Sequence, residues 1–328
     1  MKPWLYIPTN WAHKLGPFSL KFYSDFCVNP DGIQIPSWNP LIWRNLVFKN
    51  RLGIAGGVDK NAECLMAWWK FGAGFVEVGT VTPEAQEANP GKIIDRDMAS
   101  KSLWNKMGFP GHGASEVAAN LRRHFDDRKT PIFANIGKNR TTSNEDAKYD
   151  YLSMIDSLDS LCDVFVVNIS SPNTQGLREL QGKEALSNLL GPLIEFKKRT
   201  KPLLVKLSPD MGTEGLEECV TNAAGLGVDG FVLTNTTLSR PPNSPYPPDG
   251  GMSGLPLANI STETLKTTLR TLGSQRQGKL IVSVGGVMTE DDVFERITLG
   301  ADLVQTYSNL IFHGPGFLKN VARKAAKT

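Results

Sequence analysis

Short apolar runs rich in β-branched residues recur along the chain, and nearly every one ends in Gly, Asn, Ser, Thr or Lys before a helix-like stretch begins. Eight such runs read L-G-I-A-G-G from Leu52, F-V-E-V-G-T-V from Phe75, I-F-A-N-I-G from Ile132, V-F-V-V-N-I-S from Val164, L-L-V-K-L-S-P from Leu203, G-F-V-L-T-N-T from Gly230, L-I-V-S-V-G-G from Leu280 and L-V-Q-T-Y-S from Leu303. They recur about every 36 residues, the length of a strand, a helix and two loops. The pattern predicts an α/β protein, a (β/α)8 TIM barrel, in preference to a doubly wound open sheet, because no run carries a G-x-G-x-x-G turn. Helical spacing is visible over 61–71, 115–125, 183–199 and 291–299, and Ser208 to Glu218 carries a helix start signal with Pro209, Asp210 and an acidic first turn. The second and sixth intervals are long, so residues 82–131 and 237–279 are expected to hold insertions. The sixth opens with the Pro-rich R-P-P-N-S-P-Y-P-P-D-G-G.

Barrel active sites lie at the C-terminal ends of the strands, so polar residues there come first as functional candidates. The first run leads to Gly56, Gly57, Asp59 and Lys60, the second to Gly79 and Thr80, the third to Asn135 and Lys138. The fourth leads to Asn168, Ser170, Ser171 and Asn173; the fifth bears Lys206 and the sixth Thr234, Asn235 and Thr236. A Lys inside V-K-L or an Asn inside V-N-I faces the lumen, where it needs a partner or a ligand. One such residue is equally well a satisfied polar core group. Lys60, Asn135, Asn168, Lys206 and Asn235 together favour a polar ligand. Gly285-Gly286 and Tyr307-Ser308, with Gly254 as a possible addition, stand where such barrels hold a phosphate on bare backbone N–H groups. The expected ligands are a phosphorylated cofactor and a small anionic substrate. No H-E-x-x-H, Cys cluster or carboxylate pair suggests a metal.

Composition narrows the partners. The 328 residues carry 36 Lys plus Arg against 33 Asp plus Glu, a net charge of +3 without a long like-charged run, which argues against nucleic acid. No stretch is long and apolar enough to span a bilayer, and no signal peptide is visible, so a cytoplasmic location is expected. Cys27, Cys64, Cys162 and Cys219 are far apart and read as reduced thiols.

A set of motifs then carries a resemblance. A-G-G-V-D-K (55–60), E-V-G-T-V-T-P (77–83), N-K-M-G-F (105–109), N-I-G-K-N (135–139), N-I-S-S-P-N-T (168–174), V-K-L-S-P-D (205–210), T-N-T-T (234–237), G-G-M-S-G (250–254), V-G-G-V (284–287) and Y-S (307–308) strongly resemble dihydroorotate dehydrogenase in order and spacing from about residue 40 onward. Ser171, where the soluble class 1 carries Cys, matches the quinone-dependent class 2. The resemblance implies an FMN enzyme that oxidises dihydroorotate to orotate in pyrimidine synthesis, with Ser171 taking the C5 proton while the C6 hydride goes to the flavin. By the same resemblance Thr174 and Phe109 shape the proton relay. Lys60, Asn105, Met107, Gly108, Phe109, Asn168, Asn173, Asn235 and Thr236 match substrate contacts. Gly56, Gly57, Lys60, Thr80, Asn135, Asn168, Lys206 and Thr234 match the flavin site, and Gly254, Gly286, Tyr307 and Ser308 its phosphate end. Gly56 stands where Ala is more usual. A class 1-like barrel with a soluble acceptor, or a non-catalytic flavin-binding barrel, is the alternative.

Residues 1–40 differ from the rest, which sets a boundary between this extension and a barrel over 41–328. Trp11, Leu15, Phe18, Phe22 and Phe26 fall on one helical face, Thr9 or Asn10 could cap the helix, and Gly16-Pro17 is expected to break it in two. The stripe either covers the barrel wall or meets a membrane. The resemblance favours a peripheral contact on the cytoplasmic face of the membrane and a quinone tunnel, to which His13 and Arg96 are matched.

Overall fold

The computed structural model describes residues 2–196 and 199–327. After a 3-10 turn at Pro3–Tyr6, the chain forms helix α1 (Thr9–Phe26) and a hairpin of β1 (Leu41–Trp43) and β2 (Leu46–Phe48), then enters the barrel. Barrel strands and their helices follow as β3 (Leu52–Asp59), α2 (Leu65–Phe71), β4 (Val76–Val81), α3 (Gly113–Arg123), β7 (Ile132–Ile136), α4 (Ala147–Leu158), β8 (Val164–Asn168), α5 (Lys183–Glu195), β9 (Leu203–Leu207), α6 (Thr213–Leu226), β10 (Gly230–Leu233), α7 (Ala258–Leu272), β12 (Leu280–Val284), α8 (Glu290–Thr298) and β13 (Leu303–Thr306). Short β5 (Ile94–Asp97) and β6 (Ser102–Asn105) sit between β4 and α3, and β11 (Gly251–Gly254) between β10 and α7; α9 (Ser308–His313) and α10 (Gly316–Ala325) close the order. The eight parallel strands form a closed barrel in the order β10, β12, β13, β3, β4, β7, β8, β9, and all eight apolar runs are its staves.

Alternation along the strands builds the lumen in layers, because successive side chains point to opposite faces. Phe75, Phe133, Val166, Leu204 and Leu303 point inward and pack with Trp43, Leu46 and Phe48 of the hairpin, which stops the bottom of the barrel. Val76, Ala134, Phe165, Val205 and Val304 point outward into the larger core beneath the helices. Two residues further along each strand, the inward positions are Glu77, Asn135, Asn168, Lys206 and Gln305, all buried. The polar layer thus lies directly above an aromatic and aliphatic one.

Both long intervals carry insertions, and they meet. β5 and β6 from the first pair with each other, and β6 pairs antiparallel with β11 from the second, placing Asn105 opposite Gly251. This three-stranded sheet is a roof at the strand ends.

Several boundaries differ from the expectations. α2 begins at Leu65 rather than Asn61, because Asp59 accepts from the backbone N–H groups of Glu63 and Cys64 at 2.9 Å each and holds the preceding turn. α6 begins at Thr213, five residues after Ser208, which is drawn into the loop by Gln181. α5 ends at Glu195; residues 197 and 198 of the expected helix lie outside the described residues. The largest correction is in α1, one continuous helix of 18 residues with Pro17 inside it. Pro17 removes only the one N–H that would reach the His13 carbonyl, and its ring sits on an exposed part of the helix, with Gly16 and Pro17 both exposed, so the helix runs on through it. Pro8 occupies the N-cap, and neither Thr9 nor Asn10 caps with its side chain.

Candidate active site

The polar layer is centred on a carboxylate absent from the expected site. Glu77, in F-V-E-V-G-T, is completely buried. Its Oε1 accepts from Asn135 Nδ2 at 2.5 Å and from Lys206 Nζ at 3.1 Å, and its Oε2 from Gln305 Nε2 at 2.6 Å. Three donors from three strands satisfy a charge that would otherwise be costly to bury. From there a hydrogen-bond chain climbs towards the strand ends. Asn135 Oδ1 accepts from Thr80 Oγ1 at 2.6 Å and Asn168 Nδ2 at 3.2 Å, and Asn168 Oδ1 accepts from Ser170 Oγ and Asn235 Nδ2, both at 3.2 Å. Each amide is fixed in orientation by the next.

Above this layer lies a pocket that opens at the strand ends and is lined by both polar and apolar groups, the form of a small-molecule site. Gly56, Gly57, Lys60, Thr80, Asn168, Lys206, Thr234, Asn235, Thr236, Gly286, Tyr307 and Ser308 line it from the strand ends. Asn105, Met107, Gly108 and Phe109 line it from the roof, and Ser171 and Asn173 from the loop after β8. The structure therefore brings most of the expected residues to one cavity. Asn135 lies beneath it in the hydrogen-bond chain. Thr174, three residues after Ser171 in the same loop, is buried, with its Oγ1 lacking a partner. Gly254 ends β11 against the Lys101 carbonyl, where a Cβ would come within 2.2 Å, while its neighbour Ser253 lines the wall.

Local geometry sets each group. Ser171 Oγ accepts from the Asn173 N–H at 3.2 Å, and Asn173 Nδ2 donates to Asn105 Oδ1 at 2.7 Å, joining loop and roof. Gln86 Nε2 donates to the carbonyls of Gly108 and Phe109, both at 3.0 Å and both at positive φ, and so anchors the roof turn. Burial draws the Lys60 ammonium below the usual lysine range, with neighbouring Asp59 opposing that shift. Asp59 itself is pushed up to about 6, mainly by burial.

The pocket's far end has the form of an anion cradle. Gly286, at φ +70°, packs so closely on the start of the 15-residue α7 that a Cβ would come within 2.2 Å of Ala258 Cα. Bare backbone therefore stands beside a helix N-terminus, the positive end of its dipole. Arg296, buried behind it, donates to Ser283 Oγ at 3.0 Å and, from Nη2, to the Ala258 carbonyl at 2.9 Å and the Gly285 carbonyl at 3.2 Å. The Ser253 and Ser308 hydroxyls, which also line the pocket, meet at 2.9 Å. At the floor, Gln305 Oε1 is buried without a partner. An orphaned acceptor, a lysine and a glycine cradle together fit a flat, hydrogen-bonding ring system that ends in a phosphate.

The two expected tunnel residues lie outside this pocket, on the N-terminal side. Arg96 on β5 donates to the Leu5 carbonyl at 2.6 Å and also to that of Ile7, so it ties the first residues to the roof. Trp4 Nε1 donates to the Ile311 carbonyl at 2.7 Å, and Leu5 packs against the cluster of Leu103, Met288 and Phe312, on which Ile311 and the pocket residue Tyr307 also pack. His13 is lowered to about 4 by burial and by the Lys60 charge, which places α1 within electrostatic reach of the pocket. The helix's aromatic stripe faces outward: Trp11 is 63% exposed, Phe18 69% and Phe26 75%.

Sequence reading missed Glu77, Gln305, Arg296 and Gln86. The first two carried a signal, a charged or amide residue within an apolar run, the same signal that marked Lys206. Arg296 and Gln86 act on backbone atoms of other segments and carried none.

Fold and pocket together define a (β/α)8-barrel enzyme whose site joins an anion cradle to a polar, lysine-bearing chamber. A sequence profile described as dihydroorotate dehydrogenase matches residues 42–328. The chain is 41% identical over 285 residues to the dihydroorotate dehydrogenase (quinone) of Deinococcus radiodurans, covering 84% of this chain and 76% of that one. It is 43% identical over 273 residues to the dihydroorotate dehydrogenase (quinone) of Thermus thermophilus, covering 82% and 77%. Among solved structures it resembles ligand-free DHODH from Eimeria tenella with a TM-score of 0.82 at 30% identity, covering 94% of this chain and 91% of that one. The same organism's DHODH in complex with ferulenol gives 0.81 at 30% identity, covering 94% and 89%. The chain belongs to the dihydroorotate dehydrogenase family, in its quinone-dependent class.

Proposed function

We propose that the protein oxidises dihydroorotate to orotate in pyrimidine synthesis, with FMN as its resident cofactor and a quinone as the final acceptor. The observation that carries this reading is the convergence of the Ser171 hydroxyl, the Lys60 ammonium and the amides of Asn105, Asn168, Asn173 and Asn235 on one pocket above Lys206. Bound FMN would supply the acceptor for the C6 hydride and the means to pass two electrons on to quinone. Gly286, Ser308 and Tyr307 would hold its phosphate end, with Gly254 behind the cradle. Gly56, Gly57, Thr80, Asn135, Thr234 and Lys206 would serve the ring system, Asn135 from the layer beneath.

The chain's own groups divide the remaining work. Lys60 offers a cation for the substrate carboxylate, and the four amides both donate to and accept from a pyrimidine ring. Met107, Gly108 and Phe109 cover the site from the roof, and Thr236 closes one wall. Ser171 takes the C5 proton. A serine hydroxyl is a weak base at neutral pH, so it needs a route for that proton, and the buried, unpartnered Thr174 hydroxyl supplies a neighbouring acceptor.

Residues 1–40 would form the quinone entrance on the cytoplasmic face of the membrane, as a peripheral attachment, with 41–328 as the catalytic barrel. The outward stripe of α1 supports this, as do His13 and Arg96 on the entrance side. No helix among the described residues is long and apolar enough to cross a membrane. Ser171→Ala should keep its FMN and reduce it with dihydroorotate roughly 10²–10⁴-fold more slowly near pH 7. Wild-type reduction by that variant would overturn the base assignment. Turnover with fumarate or NAD but none with quinone would overturn the acceptor.

A further inference from the structure

Arg178 lies outside the pocket wall, in the 3-10 turn Leu177–Gln181 that follows the Ser171 loop. Its three nitrogens hold three separate strand-end loops. Nε donates to the Ser170 carbonyl at 2.9 Å, Nη1 to Asp210 Oδ2 at 2.7 Å, and Nη2 to the Thr236 carbonyl at 2.9 Å. These acceptors come from the loops after β8, β9 and β10. Asp210 extends the junction: its carboxylate accepts from the Thr237 hydroxyl and from the Leu238 N–H at 2.8 Å. One side of the guanidinium is thus one peptide from Ser171, and the other rests on Thr236 itself.

We propose that Arg178, braced by Asp210, is a positioning residue that sets the distance between the proton-abstracting loop and the substrate wall formed by Asn235 and Thr236. The inference rests on the reading of Ser171 as base and of Thr236 as a substrate contact. A planar guanidinium fits this task because its donors point in fixed directions to three acceptors at once, whereas a lysine offers one ammonium. A surface cleft lined by Arg178, Gln181, Ser208, Asp210 and Glu218 opens onto the group. A small cation from solvent can therefore reach the place that a truncated side chain leaves.

The test uses flavin-loaded protein and stopped-flow reduction by dihydroorotate, with Ser171→Ala measured in parallel. Arg178→Ala should retain its flavin and lower the limiting reduction rate about a hundredfold, the scale of a 1 Å misplacement, with the substrate dissociation constant changing less than threefold. Guanidinium at millimolar concentration should restore at least tenfold of that rate, and methylammonium should not. Arg178→Lys should stay impaired, and Asp210→Asn should show a weaker form of the same defect. A wild-type limiting rate in Arg178→Ala, full activity in Arg178→Lys, or a loss that guanidinium leaves unchanged would overturn the proposal. Failure of Ser171→Ala to slow reduction would instead overturn the base assignment, and wild-type protein that dihydroorotate does not reduce would overturn the function itself.

Discussion

Lys206 and Glu77 form an ion pair inside the barrel, Nζ to Oε1 at 3.1 Å, from strands three places apart around the ring, with side chains 6% and 0% exposed. Removing one partner of such a pair leaves an uncompensated charge in the interior, at a cost of about 3–5 kcal/mol. Glu77→Ala should therefore lower stability by that order in urea denaturation. Glu77→Gln should lose less: its carbonyl can accept from Asn135 and Lys206, and a flip of the Gln305 amide would offer the now unpartnered Oε1 to the new amide. Equal losses in the two variants would refute this account of the network.

The cradle makes a steric prediction. An alanine at 286 would have to keep a positive φ and would meet the Ala258 backbone at 2.2 Å. The conformation alone costs about 1–3 kcal/mol, and the contact forces the β12–α7 junction apart. Gly286→Ala should purify with well under half of the wild-type flavin absorbance per protein, and a full complement of FMN would contradict the placement of the phosphate.

His13 predicts a dependence on pH. Burial holds its folded-state pKa at about 4, below the ordinary 6.5, so the unfolded or undocked helix binds the proton more readily. The stabilisation from burying neutral imidazole is complete above pH 6.5 and is lost as pH falls through the window from 6.5 to 4. Hydrogen exchange in α1 should quicken from pH 7 to pH 5, after correction for intrinsic rates, more than exchange in the barrel strands. His13→Asn should abolish the difference; an identical pH response in wild type and variant would rule His13 out as its origin.

The outward stripe of α1 allows packing and membrane contact to be separated. Phe18 and Phe22 are 69% and 54% exposed, so replacing both with Ser should leave the melting temperature within about 2 °C of wild type. If both rings insert into lipid, the loss is at least about 3 kcal/mol, roughly a hundredfold in vesicle affinity. Co-sedimentation with phospholipid vesicles measures this, and unchanged binding would exclude the stripe as the contact.

How much of this was legible follows from burial. Parallel strands covered on both faces read as unbroken apolar runs, so all eight were visible, and a lysine within V-K-L stood out against that background. Glu77 stood out equally but belonged to no expected role, since its partners Lys206 and Gln305 lie 129 and 228 residues away in sequence. The roof strands have only four residues each and no clear alternation. In α1 the local rule for proline was correct about the missing hydrogen bond and wrong about the outcome, because the loss of one bond at an exposed position does not end an 18-residue helix.

The roof also has a meaning in time. Asn105 pairs with Gly251 across 146 residues, so a nascent chain that has emerged only through β9 has two of the three roof strands, β6 paired with β5 on one edge only. Contacts of such long separation form late. The first half of the polypeptide must therefore wait, with one edge of β6 unpaired, until most of the barrel has left the ribosome. A pause in translation between residues 105 and 251 therefore prolongs the time for which that edge is open to misassembly.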